Sequence, residues 1–504
     1  MKSDQKRWNA GGDTGGRSFR SQLKMAQHHM SRYTLCTFGK KLVRTKTCGA
    51  LFFLLFISSH GWKVYYPRVS SPGHNRTHVA GTIWSSDFHI SPVADIKSLL
   101  RTWDKTSRVF IIDESLSGHC AMTDTCAQNL QVLTRENGIT LGDCPNELKR
   151  EFWKMYHARG QFEKIDAFLF TYSSGLSELF MAFGKPLIIV ASVRYEVGRL
   201  ESAAWEKLNL NLRNIAMDKR NTIAANNRYD LEYLKHFTGL TNIKLLPNLC
   251  DYVSAVYNRT RAEILIGPSR HSQAGLELIH GTNGLFDALK QWSLSSQYVL
   301  KMHVLRDLYP KYDFSDIAAH PAVVIIPYAN SVMSVIEYYR MGIPIFAPSV
   351  ELLTKWQVEK LILDELSWAC IHGHCSGPST IQPHNQTPHH GTDPNNLTDH
   401  ASMLHWLQFA DFYNWPAVQY YHSWEDLFQK LASSNLDQIH SDMMVFNTEN
   451  LESVRIQWLD VLQRALHFDG SPSLRQNKPS VGTWEQAVRV NYPHIPQVMV
   501  DSRC

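Results

Sequence analysis

Ser331, Ser334 and Glu337 lie in the stretch IPYANSVMSVIEYYRMGIPIFAPS, Ile326 to Ser349, which reads as a strand, a polar loop, a helix and a second strand. The plain reading makes Ser331 a helix N-cap on a surface turn. The chemical reading makes the loop a ligand seat at the carboxyl end of a parallel strand. A helix starting near Ser331 offers amide N–H groups and partial positive charge to a diphosphate, and the two serines add hydroxyls. Glu337, about one turn deeper, is placed to accept a pair of ribose hydroxyls, with Tyr328 at the strand end beside it. A second turn, in AEILIGPSR, uses Gly267 and Ser269 to bring Arg270 to the same edge, where a guanidinium clamps phosphate oxygens. Lys301 and Arg306, read as following the next strand, are expected to supplement that charge, against the plain reading of a solvated helix face.

Transfer chemistry at such a seat also needs an Asp, Glu or His near an acceptor hydroxyl. Strand ends earlier in the chain supply Asp113, Glu114 and His119 in IIDESLSGHC, Glu178 in YSSGLSE, and Arg194 with Glu196 in ASVRYEVGR. Glu196, Arg194 and His119 are the favoured choices, since two arginines and a glutamate after an apolar strand should border a cleft. The competing readings are structural: Glu178 as support for a helix start, Arg194 and Glu196 as a local ion pair.

Short apolar strands alternating with helices must position these groups, and that rhythm argues for parallel sheets. RVFIID, DAFLF and KPLIIVAS form one series, which NTIAANN, DLEYLKHFTGL and KLLP continue; AEILIGPSR, QYVLKMH and AVVI open another. DAFLFTYSSGLSELFMAFGKPLIIVA and AVVIIPYANSVMSVIEYYRMGIPIFAP echo each other as strand, Tyr, Ser, helix, Gly-x-Pro, strand, so the same βαβ device is expected in two Rossmann-like domains. Their expected bounds are 93–255 for an acceptor domain and 256–435 for a nucleotide domain, the latter with an exposed His-, Pro- and Gly-rich insertion at 370–401. Zinc at His372, His374 and the flanking cysteines is weighed and set aside, because an oxidising compartment favours disulfides there. Amphipathic helices and an irregular tail are expected over 436–504.

The 504 residues are 44% hydrophobic, enough for a large core, and the formal charge is +5. Before Cys48 eleven Lys or Arg stand against Asp4 and Asp13 alone, so that opening segment holds more than the whole net charge. The remainder is slightly acidic, which argues against a nucleic-acid surface. A basic tail (1–46), an apolar signal anchor (47–62) and a stem (63–92) are expected, with the amino terminus cytosolic and the body lumenal. The apolar run also suits a cleaved signal peptide, which would give a secreted body. Asn-x-Ser/Thr sequons at Asn75, Asn258, Asn385 and Asn396 all follow the run, as lumenal glycosylation requires. Cys120 and Cys126 are close enough for a local disulfide if the chain turns between them.

From about Arg108 to Leu466 the chain resembles the GT-B glycosyltransferases, which have two Rossmann-like domains facing a cleft. NTIAANNRYDLEYLKHFTGLTNIKLLPNLCDY looks like the closing strand, helix and strand of their first domain, and the stretch at Ile326 looks like their donor site. The resemblance implies that Glu337 holds the donor ribose. It further implies an enzyme moving sugar from a nucleotide-sugar co-substrate to a glycan, protein or lipid acceptor at an ER or Golgi membrane. No Asp-x-Asp occurs, so no bound metal or other cofactor is expected, and the diphosphate falls to helix dipole and basic residues. The alternatives are a lumenal sugar- or nucleotide-binding protein without catalysis, and a sugar-nucleotide epimerase or hydrolase on the same fold.

Overall fold

The computed structural model describes residues 80–103, 108–138, 145–195, 201–268, 272–363, 374, 376–466 and 482–494. The expected tail and anchor lie outside these residues, as do Asn75, Glu196, Ser269 and Arg270. Among the described residues no helix is long and apolar enough to cross a membrane.

The first domain carries strands β1 (Ala80–Ser85), β2 (Arg108–Asp113), β3 (Ala167–Phe170), β4 (Leu187–Ala191), β5 (Thr222–Ala225) and β6 (Lys244–Leu245). Its helices are α1 (Ile90–Trp103), α2 (Pro145–Ala158), α3 (Ser202–Met217) and α4 (Arg228–Thr238). The six strands are parallel in the order β2-β1-β3-β4-β5-β6. Successive crossovers change direction between β1 and β3, so a crevice opens there at the carboxyl ends. β3, β4 and β5 are buried at every position, as continuous apolar runs covered by helices on both faces should be.

The second domain follows the same plan with β7 (Glu263–Ile266), α5 (Gln273–His280), α6 (Leu285–Ser295), β8 (Lys301–Val304), β9 (Val323–Val324), α7 (Met333–Met341), β10 (Ile345–Pro348) and α8 (Val350–Lys360). After these come α9 (His400–Leu407), β11 (Gln419–Tyr421) and α10 (Trp424–Ser433). The strand order is β11-β10-β9-β7-β8, again parallel, with the change of direction between β7 and β9. The protein is therefore an α/β chain of two Rossmann-like domains, as the strand and helix rhythm leads one to expect.

The internal echo is structural. β3 and β4 are adjacent parallel strands, as are β9 and β10. Each connecting helical segment stops at a glycine in the left-handed region, Gly184 (φ 63°) and Gly342 (φ 74°). GLSELFMAFG is not one regular helix but a short α-turn between two 3-10 turns.

Two expectations are corrected. β1 and the start of α1 fall inside the stretch expected to be stem, because AGTIWS has too few apolar residues to stand out as a strand. Residues 376–399 are not simply an exposed insertion: Ile381, Thr387, His389 and Asn395 are buried, and Ile381 joins Trp406 and Phe409 in the first domain's core. There His389 Nε2 meets Glu232 Oε2 of α4 at 3.0 Å, and Tyr233 donates to Asn395 at 2.9 Å. The C-terminal amphipathic pattern, expected to be helical, forms the 31-residue helix α11 (Leu436–Leu466), which spans both domains: Ile439 and Met443 sit in the second core, Val454, Trp458 and Val461 against the first sheet. A last helix, α12 (Trp484–Asn491), returns to the first domain, where Asn491 donates to Met181 O and Ala182 O.

Candidate functional site

A cavity of about 460 Å³ lies between the carboxyl edges of the two sheets. The first domain lines it with His89 after β1, Tyr172 after β3, Ser192 to Arg194 after β4, and Asn226, Asn227, Tyr229 and Asp230 after β5. The second domain contributes Tyr328 to Ser334 and Glu337, after β9. Tyr172 and Tyr328, the tyrosines of the internal echo, thus face one space from opposite domains.

Three helices begin at this space: α1 with Ser91 and Pro92, α4 with Asn227, and α7 with Met333 and Ser334. Each first turn has amides that no carbonyl of its own helix can accept, and each adds partial positive charge. Three such ends suit a doubly charged ligand.

On the first-domain wall, Asp230 organises the turn that carries Arg194. Its carboxylate accepts the Arg194 N–H, and its own N–H is capped by Asn227 Oδ1 at 2.7 Å. Val193, Arg194 and Tyr195 all adopt positive φ (49°, 51° and 41°), conformations that non-glycine residues hold only when their surroundings impose them. Tyr195 stacks on Trp205 at 4.8 Å and bonds Asn209, which pins the far end of the turn. Arg194 is 5% exposed and lies 5.7 Å over the Tyr229 ring. Burial raises the Asp230 carboxyl, and the Arg194 charge opposes that rise.

His89 opens into the cavity from the amino end of α1. Its Nδ1 accepts the Ser91 N–H at 3.3 Å, so the neutral ring carries its proton on Nε2. The enclosing walls, then the charge of His119, lower its pKa and favour that neutral form. Two residues earlier, Asp87 is buried beside Asp113; burial first and that neighbour second raise its carboxyl.

On the opposite wall, Tyr252 donates to Glu337 Oε1 at 2.7 Å, and burial pushes the Glu337 carboxyl up to about 7. The chain joining the domains is held from both sides. Asp95 of α1 accepts the Leu249 and Asp251 N–H groups at 2.7 Å each, while Arg340 of α7 donates to Asp251 at 2.8 Å. The Tyr252 bond to Glu337 is thus continuous with the tether that sets the width of the cleft.

The structure brings Arg194, Tyr328, Ser331, Ser334 and Glu337 together in this cavity. α7 begins two residues later than expected, and Ser331 is not its cap: the N-cap is Val332, with no side-chain cap bond, and the Ser331 hydroxyl donates to Asp411 instead. Gly267 ends β7, its N–H bonded to Val324 O at 2.9 Å. Lys301 is a correction: it begins β8 opposite Glu263, so it lies at the amino edge, away from the cleft. Arg306 is exposed, 5.0 Å over the Tyr312 ring, and His119 is an exposed turn residue; neither lines the cavity.

The structural readings hold for three carboxylates. Glu178 is fully buried, paired with Lys149 at 2.8 Å and Asn211 at 2.6 Å. Asp113 pairs with Lys97 at 3.0 Å, and Glu114 binds Asn129 N and Nδ2 at 3.1 and 2.6 Å. Cys120 and Cys126 form the disulfide whose loop Glu114 supports. Asn258 and Asn385 are exposed, whereas Asn396 is half-buried and accepts the Gly377 N–H at 3.2 Å. His374 is exposed, and among the described residues no group of three or more His, Cys, Asp or Glu could hold a metal. Sequence reasoning missed His89, Asp230 and Tyr252. For Asp230 a signal existed, since NRYD has the Asn-x-x-Asp form of a capped helix start. His89 was hidden by the stem reading, and Tyr252 has no local signature.

The fold and site define a protein of two Rossmann-like domains enclosing a polar cleft. No family model matches the chain, and no curated protein does. The crystal structure of CalG4, the calicheamicin glycosyltransferase, matches with a TM-score of 0.36 and 9% identity, over 78% of this chain and 100% of that one. So slight a likeness bears neither on activity nor on site residues.

Proposed function

We propose that this protein is a glycosyltransferase that moves a sugar from a nucleotide-sugar donor to a glycan, protein or lipid acceptor in the secretory pathway, without a bound metal. One observation carries the reading: a cavity between two parallel-sheet edges on which three helix amino termini, Arg194 and Glu337 converge. The nucleotide would lie against the second domain, its ribose hydroxyls donating to Glu337 and its diphosphate over the first turn of α7. The acceptor would enter beside His89 and Arg194. Its hydroxyl oxygen attacks the anomeric carbon, the carbon–oxygen bond to the diphosphate breaks, and the diphosphate leaves with the electron pair. Helix termini and Arg194 stabilise that charge. The acceptor's proton passes to His89, whose neutral ring becomes a base at Nε2 once Nδ1 takes the hydrogen and releases its long contact with Ser91. The expected type II anchor, outside the described residues, would hold the body in the lumen, where the sequons meet their modifying enzymes.

The test is a thermal-shift screen of the chain with uridine, guanosine, cytidine and adenosine diphosphates, in EDTA and then with Mn²⁺. Ligand at 100 times its Kd stabilises by about 2.7 kcal/mol. A shift with one nucleotide in EDTA that Glu337→Ala abolishes is the expected result. No shift with any of them removes the donor site, and a shift without turnover favours a binding protein that has lost catalysis.

A further inference from the structure

A second cavity, of about 480 Å³, opens on the second domain between the end of α6, the loop leading into β8, and α10. The loop enters β8 at Lys301, its amino end, so this groove lies at the sheet edge opposite the cleft. Trp292 and Tyr298 present aromatic surface; Glu425 and Gln429 on α10, with Gln297 and Ser296, present planar amide, carboxylate and hydroxyl groups. Trp292 is braced by Phe428, ring centroids 5.5 Å apart, whereas Tyr298 is 48% exposed. Gln429 and Glu425 lie one turn apart on one helix face and touch each other at 3.5 Å, the outer limit of a hydrogen bond. The lining holds no lysine, arginine or histidine, and its one charge is negative.

From this lining we infer that the groove is an accessory carbohydrate site, taking a neutral pyranose of an oligosaccharide remote from the cleft. A pyranose has a ring face of C–H groups, which packs on an aromatic side chain, and a rim of hydroxyls that each donate and accept. Tyr298 and Trp292 suit the face; Gln297, Gln429 and Glu425 suit the rim. A phosphate or nucleotide would meet no cation here and would be repelled by Glu425. Exposed Leu294 and Val299 beside the groove make an apolar protein surface the chief rival occupant, but the groove itself is lined largely by hydrogen-bonding side chains. Such a site would hold a glycan-bearing molecule near the enzyme without taking part in transfer, and it stands whether or not the cleft transfers sugar.

Saturation-transfer NMR on the full chain with lactose, cellobiose, maltose and N,N′-diacetylchitobiose at millimolar concentration decides it. The expected result is transfer to at least one disaccharide in wild type and in Glu337→Ala, falling to baseline in Tyr298→Ala and in Gln429→Ala. These two side chains are exposed, so thermal midpoints should match wild type and separate lost binding from lost fold. Transfer that survives both substitutions, or is absent for all four sugars, overturns the site. Neither result touches nucleotide binding in the cleft, which the thermal-shift screen reads separately.

Discussion

Glu337 has its carboxyl pushed up to about 7 by burial, and its Oε1 is already engaged by Tyr252. Ionised, it accepts ribose hydroxyls at its remaining lone pairs; protonated, it gives up one of those positions to a donor. Nucleotide affinity should therefore rise with pH across the window around 7, and titration calorimetry at pH 6 and pH 8 should show the tighter Kd at pH 8. In Glu337→Gln the two values should agree, and an unchanged slope would assign the dependence to another group. Asp230 governs a different quantity. Asp230→Ala leaves the Arg194 amide without its acceptor, which should lower stability by about 1–3 kcal/mol in urea unfolding. Because the same turn carries Arg194, turnover should fall by more than nucleotide affinity does.

At the scale of elements, the two echoed βαβ units depend on where their helices stop. Gly342 ends α7 at φ 74°, and a Cβ there would come within 2.5 Å of His440 Nδ1 and 2.8 Å of Met444 Sδ on α11. Gly342→Ala should therefore cost about 1–2 kcal/mol for the left-handed backbone alone, with more from the displaced contacts. The urea midpoint should drop accordingly, and a variant as stable as wild type would refute this account of the helix end. The element pattern was largely legible beforehand, since buried parallel strands such as AFLF and LIIVA are apolar runs whatever surrounds them. β1 was not, because AGTIWS is buried mainly by its neighbours β2 and β3 and carries little apolar signal of its own. The packing of residues 376–399 on α4 was equally illegible, being a match between His389 and Glu232 far apart in sequence.

For the whole molecule, the raised and lowered groups shape how stability varies with pH. Glu337 and Asp95, pushed up to about 7 and about 6, and Asp87, also raised, bind protons more tightly folded than unfolded, so they favour the native state at low pH and lose that advantage as pH climbs. Histidines whose pKa is lowered act oppositely. His236, lowered to about 3, and His89 and His405, also lowered, stay neutral in the fold while the unfolded chain takes protons below about 6.5. Below 6.5 the two sets oppose each other, because the unfolded chain ionises its acids from about pH 4; above 6.5 the histidines are neutral in both states, and stability should go on falling until pH passes the raised values of Glu337, about 7, and Asp87, about 8. Thermal midpoints should fall from pH 6.5 to 8, and Glu337→Gln should reduce the fall between pH 6.5 and 7. A midpoint still rising at pH 8 would contradict this balance.

By itself the sequence determined the class of architecture and half of the cleft. Apolar periodicity, helix-stopping glycines and the repeated Tyr, Ser, Gly-x-Pro order are local properties, so two parallel α/β units and the seat around Tyr328, Ser334 and Glu337 could be read from neighbouring residues. Tertiary structure alone decided which groups face that seat. His89 from the loop after β1 and Asp230 from the first turn of α4 join Arg194, which was expected at a cleft edge, only because both sheets turn their carboxyl edges to one space. Lys301, beside a strand in sequence, lies on the other edge because strand direction sets which end reaches the cleft. The tether of Asp95, Asp251 and Arg340 likewise joins residues from both domains, and contacts of that range are set by burial and hydrogen-bond satisfaction across the whole fold, not by any short stretch of chain.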